Sequence, residues 1–325
     1  MMGFKFTSSR LAVICLLAVL VIGGGVKADA QTPLGITVSP AFQLVSIPQD
    51  ASQQPVVFTI TNDKPTPQKL SLSVADFNTL NESGGLFFVG TNPTALQKKY
   101  GLAKWVSLPE TGLTIPAKQT VKIQADILNL STLAAGGHYG ALMIALDTAG
   151  GSGGANQVGL HPIASSLLFV TKLQGATYDL NLTNVYFHHD ITKLPSGVTL
   201  RFFDFGNTHL VPRGVINLTG PGGTLISKGV VNQNSGIILP QTYRQYPVPL
   251  SQLLVPKTPG RYKLTVSYRF DGYSGFRTYQ VSFIYVPLID LIIFIAIVLV
   301  FIICIFWVYR KIRPKKKRKI KIEVK

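Results

Sequence analysis

"TVKIQADI", Thr120 to Ile127, alternates polar and apolar residues along its whole length. Side chains on an extended chain point to opposite faces in turn, so Val121, Ile123, Ala125 and Ile127 share one face. The stretch predicts a half-buried strand. "PVVFTITN" (Pro55–Asn62) and "QKLSLSVADF" (Gln68–Phe77) carry the same period of two. "GALMIALD" (Gly140–Asp147) and "ASSLLFVTK" (Ala164–Lys172) are more continuously apolar, as central strands are. Gly, Pro, Asn and Asp punctuate the intervals. Strands at this spacing predict antiparallel sandwiches. "AGGSGGAN" (Ala149–Asn156) is expected to be a hairpin tip, because strands of the first domain lie on both sides of it.

A second half begins near Gly175 and repeats the punctuation of the first. Asn62 is followed by Pro67, and Asn207 by Pro212, at equal spacing. Pro116 to Tyr139 and Pro240 to Tyr262 differ in length by one residue. Tyr139 and Tyr262 each follow a Gly-x at the start of a late strand, a pattern like a tyrosine corner, where the phenol bonds back to nearby backbone. The first half is longer by an insertion at about 82–112. Within it, "PTALQKKYGLAKW" (Pro93–Trp105) predicts a short helix with Pro93 near its start and Leu96, Tyr100 and Ala103 on one face. This helix either caps the open end of the sandwich, with Trp105 in the core, or offers a ligand surface. In the second case Tyr100 and Trp105 present flat faces to sugar rings, and Lys98, Lys99 and Lys104 supply charge.

The two ends carry address signals. "LIIFIAIVLVFIICIFWV" (Leu291–Val308) has no charge and is long enough to cross a bilayer core of roughly 30 Å. A transmembrane helix is expected over 288–309. The tail 310–325 that follows holds ten Lys and Arg against one Glu. Basic residues flanking a span stay in the cytoplasm, so the N-terminal domains are expected outside a plasma membrane, as a single-pass protein. At the start, Lys5 and Arg10 precede an apolar run that ends at Ala28-Asp29-Ala30, which reads as a signal peptide over 1–30 cleaved after Ala30. The formal charge of +17 therefore misleads. Residues 31–287 hold eighteen Lys and Arg against eleven Asp and Glu, too mild and scattered for a nucleic-acid footprint.

Catalytic patterns are missing. The sequence has no G-x-S-x-G elbow, H-E-x-x-H or P-loop, and its acidic residues are sparse. His188-His189-Asp190 places two imidazoles on opposite faces of a regular strand, a poor metal site. No catalytic, cofactor-binding or metal-binding residue is expected. The two cysteines, Cys15 and Cys304, fall in the signal segment and the span, so the exported part carries no disulfide. That favours a bacterial surface, because a eukaryotic exported region of this size usually carries disulfides.

The whole order is signal peptide, larger domain, smaller domain, span and basic tail. It resembles the WxL-interacting protein family of Gram-positive cell surfaces. The resemblance is carried by "ITVSPAF", "QPVVFTITNDKPTPQKLSLSV", "IPAKQTVKIQADI" with "GGHYGALMIAL", "GNTHLVPRGVINLTGPGGTLISKG", "ILPQTYRQYPVPL" and "PGRYKLTVSYRF". It implies an all-β chain of two tandem Ig-like β-sandwiches, 31–172 and 173–286, outside the membrane, plus the C-terminal helix. It also implies that the first domain associates with peptidoglycan, that the second engages partner proteins, and that the chain assembles with WxL-type surface proteins. The expected function is a membrane-anchored binding protein holding a cell-wall polymer or a surface partner by noncovalent contact. A structural or chaperone-like assembly subunit, pairing with partner strands at a free sheet edge, is the alternative.

Overall fold

The computed structural model describes residues 35–146, 163–188 and 190–312. The expected signal peptide over 1–30, the expected hairpin tip at 149–156 and the basic residues beyond Ile312 lie outside the described residues. The first half contains β1 (Ile36–Ser39), β2 (Phe42–Ile47), β3 (Gln53–Asn62), β4 (Gln68–Thr79), β5 (Leu86–Phe88), α1 (Ala95–Tyr100), β6 (Val106–Ser107), β7 (Gly112–Ile115), β8 (Thr120–Leu128), β9 (Gly136–Leu146) and β10 (Ile163–Lys172). One sheet has the order β1-β3-β8-β6. The other runs β2-β10-β9-β4-β5, with β7 also on β4. The expected alternation in β8 holds: Ile123, Ala125 and Ile127 are buried in a core with Phe58, Ile60, Leu72, Ile144 and Val170. The two more apolar runs, β9 and β10, are interior strands of their sheet, as their composition predicts.

β1 and β2 are close in sequence but belong to different sheets. β1 pairs antiparallel with β3, whereas β2 pairs parallel with β10, after a cis Ser39–Pro40 peptide. All other ladders in both halves are antiparallel.

The second half contains β11 (Leu180–Tyr186), β12 (Gly197–Asp204), β13 (Arg213–Thr219), β14 (Leu225–Val231), β15 (Tyr243–Pro249), β16 (Ser251–Gln252), β17 (Gly260–Arg269) and β18 (Arg277–Tyr285). Its sheets are β11-β12-β15 and β16-β14-β13-β17-β18, enclosing a separate core around Leu200, Phe202, Leu218 and Leu264. Two residues after β18 the chain enters α2 (Leu288–Ile312). This helix buries no side chain against the protein, and its mean hydropathy of 3.5 and its length suffice to cross a membrane.

Two expected equivalences between the halves do not hold. Tyr262 does form a corner, donating to the Thr258 carbonyl at 2.9 Å. Tyr139 does not: its phenol packs above Gly137 and lies 3.5 Å from the imidazole of His209 in the other half. Likewise Asn62 is buried and donates to the carbonyls of Thr66, Ile115 and Pro116, fastening the turn between β3 and β4. Asn207 instead ties the junction, accepting from Thr177 N and donating to Gly175 O, while its own carbonyl accepts from Gly137 N. Equal spacing reflected similar strand lengths, not similar bonding.

Candidate functional site: a sheet edge at the junction of the halves

The insertion forms a helix shorter than expected, ending at Tyr100 before Gly101, so Leu96, Tyr100 and Ala103 do not share one helical face. Thr94 caps α1 and Gln97 reaches back to the Thr94 amide, a capping box that satisfies two free backbone donors. A 3₁₀ turn, Ala103–Trp105, follows. Asp76 on β4 holds that turn, accepting from the Leu102 and Ala103 amides at 2.6 Å each. Lys98, Lys99 and Lys104 are exposed. Tyr100 is only 4% exposed and packs with Phe77, Tyr139 and Phe169. Trp105 is half-buried on the first core, with its indole N–H 3.3 Å from the Thr132 hydroxyl. The five residues therefore do not share one open face. The lysines lie outside and the Tyr100 ring lies within. His188 and Asp190 sit in a loop, and His189 is outside the described residues; among the described residues no group of three His, Cys, Asp or Glu converges.

The aromatic cluster containing Tyr100 joins the two halves. Tyr139 and Phe169 meet His209 edge-on, with ring centroids 5.7 and 5.6 Å apart. Leu239 and Ile237 of the second half close over the same cluster. Burial lowers the imidazole of His209 to a pKa of about 4, so it is neutral there at ordinary pH. Asp204, at the end of β12, is fully buried; its Oδ1 accepts from Gly206 N at 2.8 Å and its Oδ2 has no partner.

A polar clamp lies beside this cluster. Glu82, at the start of the insertion, receives a two-pronged bond from Arg201 at 2.6 and 2.8 Å and another from Gln245 at 2.8 Å. Arg201 stacks over Tyr243, 3.6 Å from the ring centre. Hydrogen bonds from Arg201 and then Gln245 pull the Glu82 carboxyl down from 4.5 to about 2. A depressed carboxylate stabilises the fold above its unfolded value and stops doing so as pH falls through the folded one. Acid titration should therefore loosen the junction between about pH 4.5 and 2. Glu82→Gln should flatten that segment of the curve of melting temperature against pH; an unchanged segment would place the acid sensitivity elsewhere.

Beside this junction runs a strand edge that has no neighbour among the described residues. β2 ends its sheet. The carbonyls of Ala41 and Ile47 accept from β10 and its extension, at Leu167 N and Leu173 N. By strand alternation, the odd-numbered residues of β2 face β10 and the backbone groups of Phe42, Leu44 and Ser46 face the free edge. Val45 and Ile47 turn into the core, while Phe42 and Leu44 stand 53% and 57% exposed. Beside them opens a cavity of about 220 Å³ between the halves, walled by Phe42, Leu86, Leu167, Phe169, Ile237 and Leu239. Arg244 is at its rim, with its Nε buried and unbonded. Sequence reading passed over this edge. Its signal was "FQLVSI", six residues with no charge and no proline and with apolar groups on both faces.

Taken together, the chain is an all-β architecture with a junction between its halves and, among the described residues, one helix of membrane-spanning length. No family model and no curated protein matches the chain. Among solved structures, it is similar to a chaperone–tip adhesin complex of CFA/I fimbriae biogenesis, at 8% identity over 78% of this chain and 99% of that one, with a TM-score of 0.41. The E. coli chaperone DraB is 11% identical over 78% of this chain and 96% of its own, at 0.34. The PapD-like domain 7 of human CEP192 is 13% identical over 47% and 95%, at 0.29.

Proposed function

We propose that the chain is a membrane-tethered protein of two tandem Ig-like sandwiches that holds a partner protein at the cell surface. The partner adds an extended segment to the free edge of β2 and seats an apolar side chain in the adjoining cavity. α2 crosses the plasma membrane, and the basic residues after it keep the C-terminus in the cytoplasm. The observation that carries the reading is the edge itself. Natural edge strands are blunted with lysine, proline, bulges or a covering element. β2 has no lysine and no proline, and it exposes two large apolar side chains. Strand addition uses such an edge: backbone bonds give affinity, and pockets for alternate side chains give specificity. WxL-type surface proteins are the class of partner implied by the sequence resemblance. Attachment to a wall polymer through Tyr100 and Trp105 is less favoured by the geometry, because the Tyr100 ring is enclosed.

The Leu44 amide faces the free edge, so proline there removes a donor that β10 does not use. An ultraviolet-activated cross-linking residue in place of Ser46 is expected to trap a discrete heavier species on intact cells. Leu44→Pro in the same chain should abolish it, and Leu44→Thr, which keeps the amide, should retain much of it. No trapped species, or one indifferent to Leu44→Pro, overturns the reading.

A further inference from the structure

The end of the second half nearest α2 is fixed by strand register. Tyr285, the last residue of β18, pairs with Gly260, the first of β17. Thr219 at the end of β13 pairs with Lys263 and with Leu225 at the start of β14, which places both at that end too. Leu288 opens α2 three residues after Tyr285, within about 10 Å at ~3.3 Å per extended residue. Any segment level with Gly260 and Leu225 therefore lies close to where the helix begins.

The loop between β16 and β17 is such a segment, and it is held in shape. The amides of Leu253 and Leu254 both donate to Ile226 O, at 2.8 and 3.2 Å. Gln252 donates to Leu254 O at 3.1 Å, and the Tyr262 corner pins Thr258. On this fixed turn Leu253, Leu254 and Val255 are 54%, 50% and 73% exposed. Lys257 and Arg261, just beyond, are exposed, and so is Lys193 in the loop whose Ile191 carbonyl accepts from Val286 N. Against these cations the same end carries Asp190, near Lys193, and Asp290 in the first turn of α2. Three adjacent apolar side chains on a turn have no reason to face water, whereas apolar groups ringed by Lys and Arg suit a headgroup layer.

We infer that the tip Leu253–Thr258 sits in the outer headgroup layer of the bilayer that α2 crosses. Leu253, Leu254 and Val255 enter the acyl boundary, and Lys257 and Arg261 meet lipid phosphates. This rests on the reading of α2 as a membrane span, and is independent of the strand-edge reading.

The test uses the full-length chain in vesicles of phosphatidylcholine and phosphatidylglycerol, with Cys15 and Cys304 replaced by serine. A fluorophore is placed at Val255→Cys or, for comparison, at Thr66→Cys in the β3–β4 turn. The Val255 label should lose most of its emission to a brominated lipid and resist aqueous iodide, and the Thr66 label should do the reverse. Trp307 emission, read in a Trp105→Phe background, reports independently whether α2 is inserted. If brominated lipid quenches Trp307 while the Val255 label behaves like the Thr66 label, the tip inference fails and the span reading survives. If Trp307 escapes the lipid quencher, both fail.

Discussion

Asp204→Asn should raise the melting temperature at pH 8, and the gain should shrink towards zero near pH 4. Burial, with a smaller contribution from the Asp179 carboxylate, lifts the Asp204 carboxyl from 3.8 to about 8. In the unfolded chain the group is ionised above about 3.8; in the fold it keeps its proton until about 8. Folding therefore takes up a proton throughout that window, and stability falls with rising pH until the folded group also ionises. At about 1.4 kcal/mol per unit, the cost accumulated by pH 7 is about 4 kcal/mol. Asparagine has no such cost, and its side-chain oxygen can still accept from Gly206 N as Asp204 does. Parallel pH profiles for parent and variant would show that Asp204 is better solvated than its burial implies.

Tyr139→Ala is expected to destabilise by about 3–5 kcal/mol, the cost of removing a large buried aromatic. Tyr139 is 2% exposed and touches Phe77, Tyr100 and Phe169 of its own half and His209 of the other. Its loss leaves a void shared by both halves, so the variant should melt over a broader range than the parent. Tyr139→Phe keeps the ring and gives up only the long contact to His209, so it should melt close to the parent. A Tyr139→Ala chain that melts like the parent would mean that the two halves pack together loosely.

Strand content was legible because its signal is local. The period of two in Thr120–Ile127 needs no partner to be seen, and the burial of Ile123, Ala125 and Ile127 follows from it. The start of the short helix Ala95–Tyr100 was legible for the same reason, whereas its early end at Gly101 was not foreseen. What the sequence hid was set by contacts far apart along the chain. Tyr100 reads as an amphipathic-helix aromatic, yet its ring is enclosed by β4, β9 and β10 residues brought in by the sheet. Tyr139 and Tyr262 share a local motif, but Tyr139 faces His209 seventy residues away and Tyr262 faces Thr258 four residues away. The Glu82–Arg201 pair spans 119 residues and has no local trace. The edge of β2 was legible only in part: the uncharged run "FQLVSI" is local, but an edge is defined by which strand is missing beside it.

The path of the chain through the second half also decides how it answers a pull. The chain arrives at the junction end, where β11 starts opposite Asp204, and leaves at the opposite end through Tyr285 into α2. A pull applied between the first half and α2 thus loads the second half along its strands. β18 is joined to β17 at nine register positions from Tyr268↔Arg277 to Gly260↔Tyr285. A force along that axis strains the whole ladder in shear, so its backbone bonds share the load, where peeling from one end would break them singly. The second half is in this way a tension member along the axis that runs from the junction to α2.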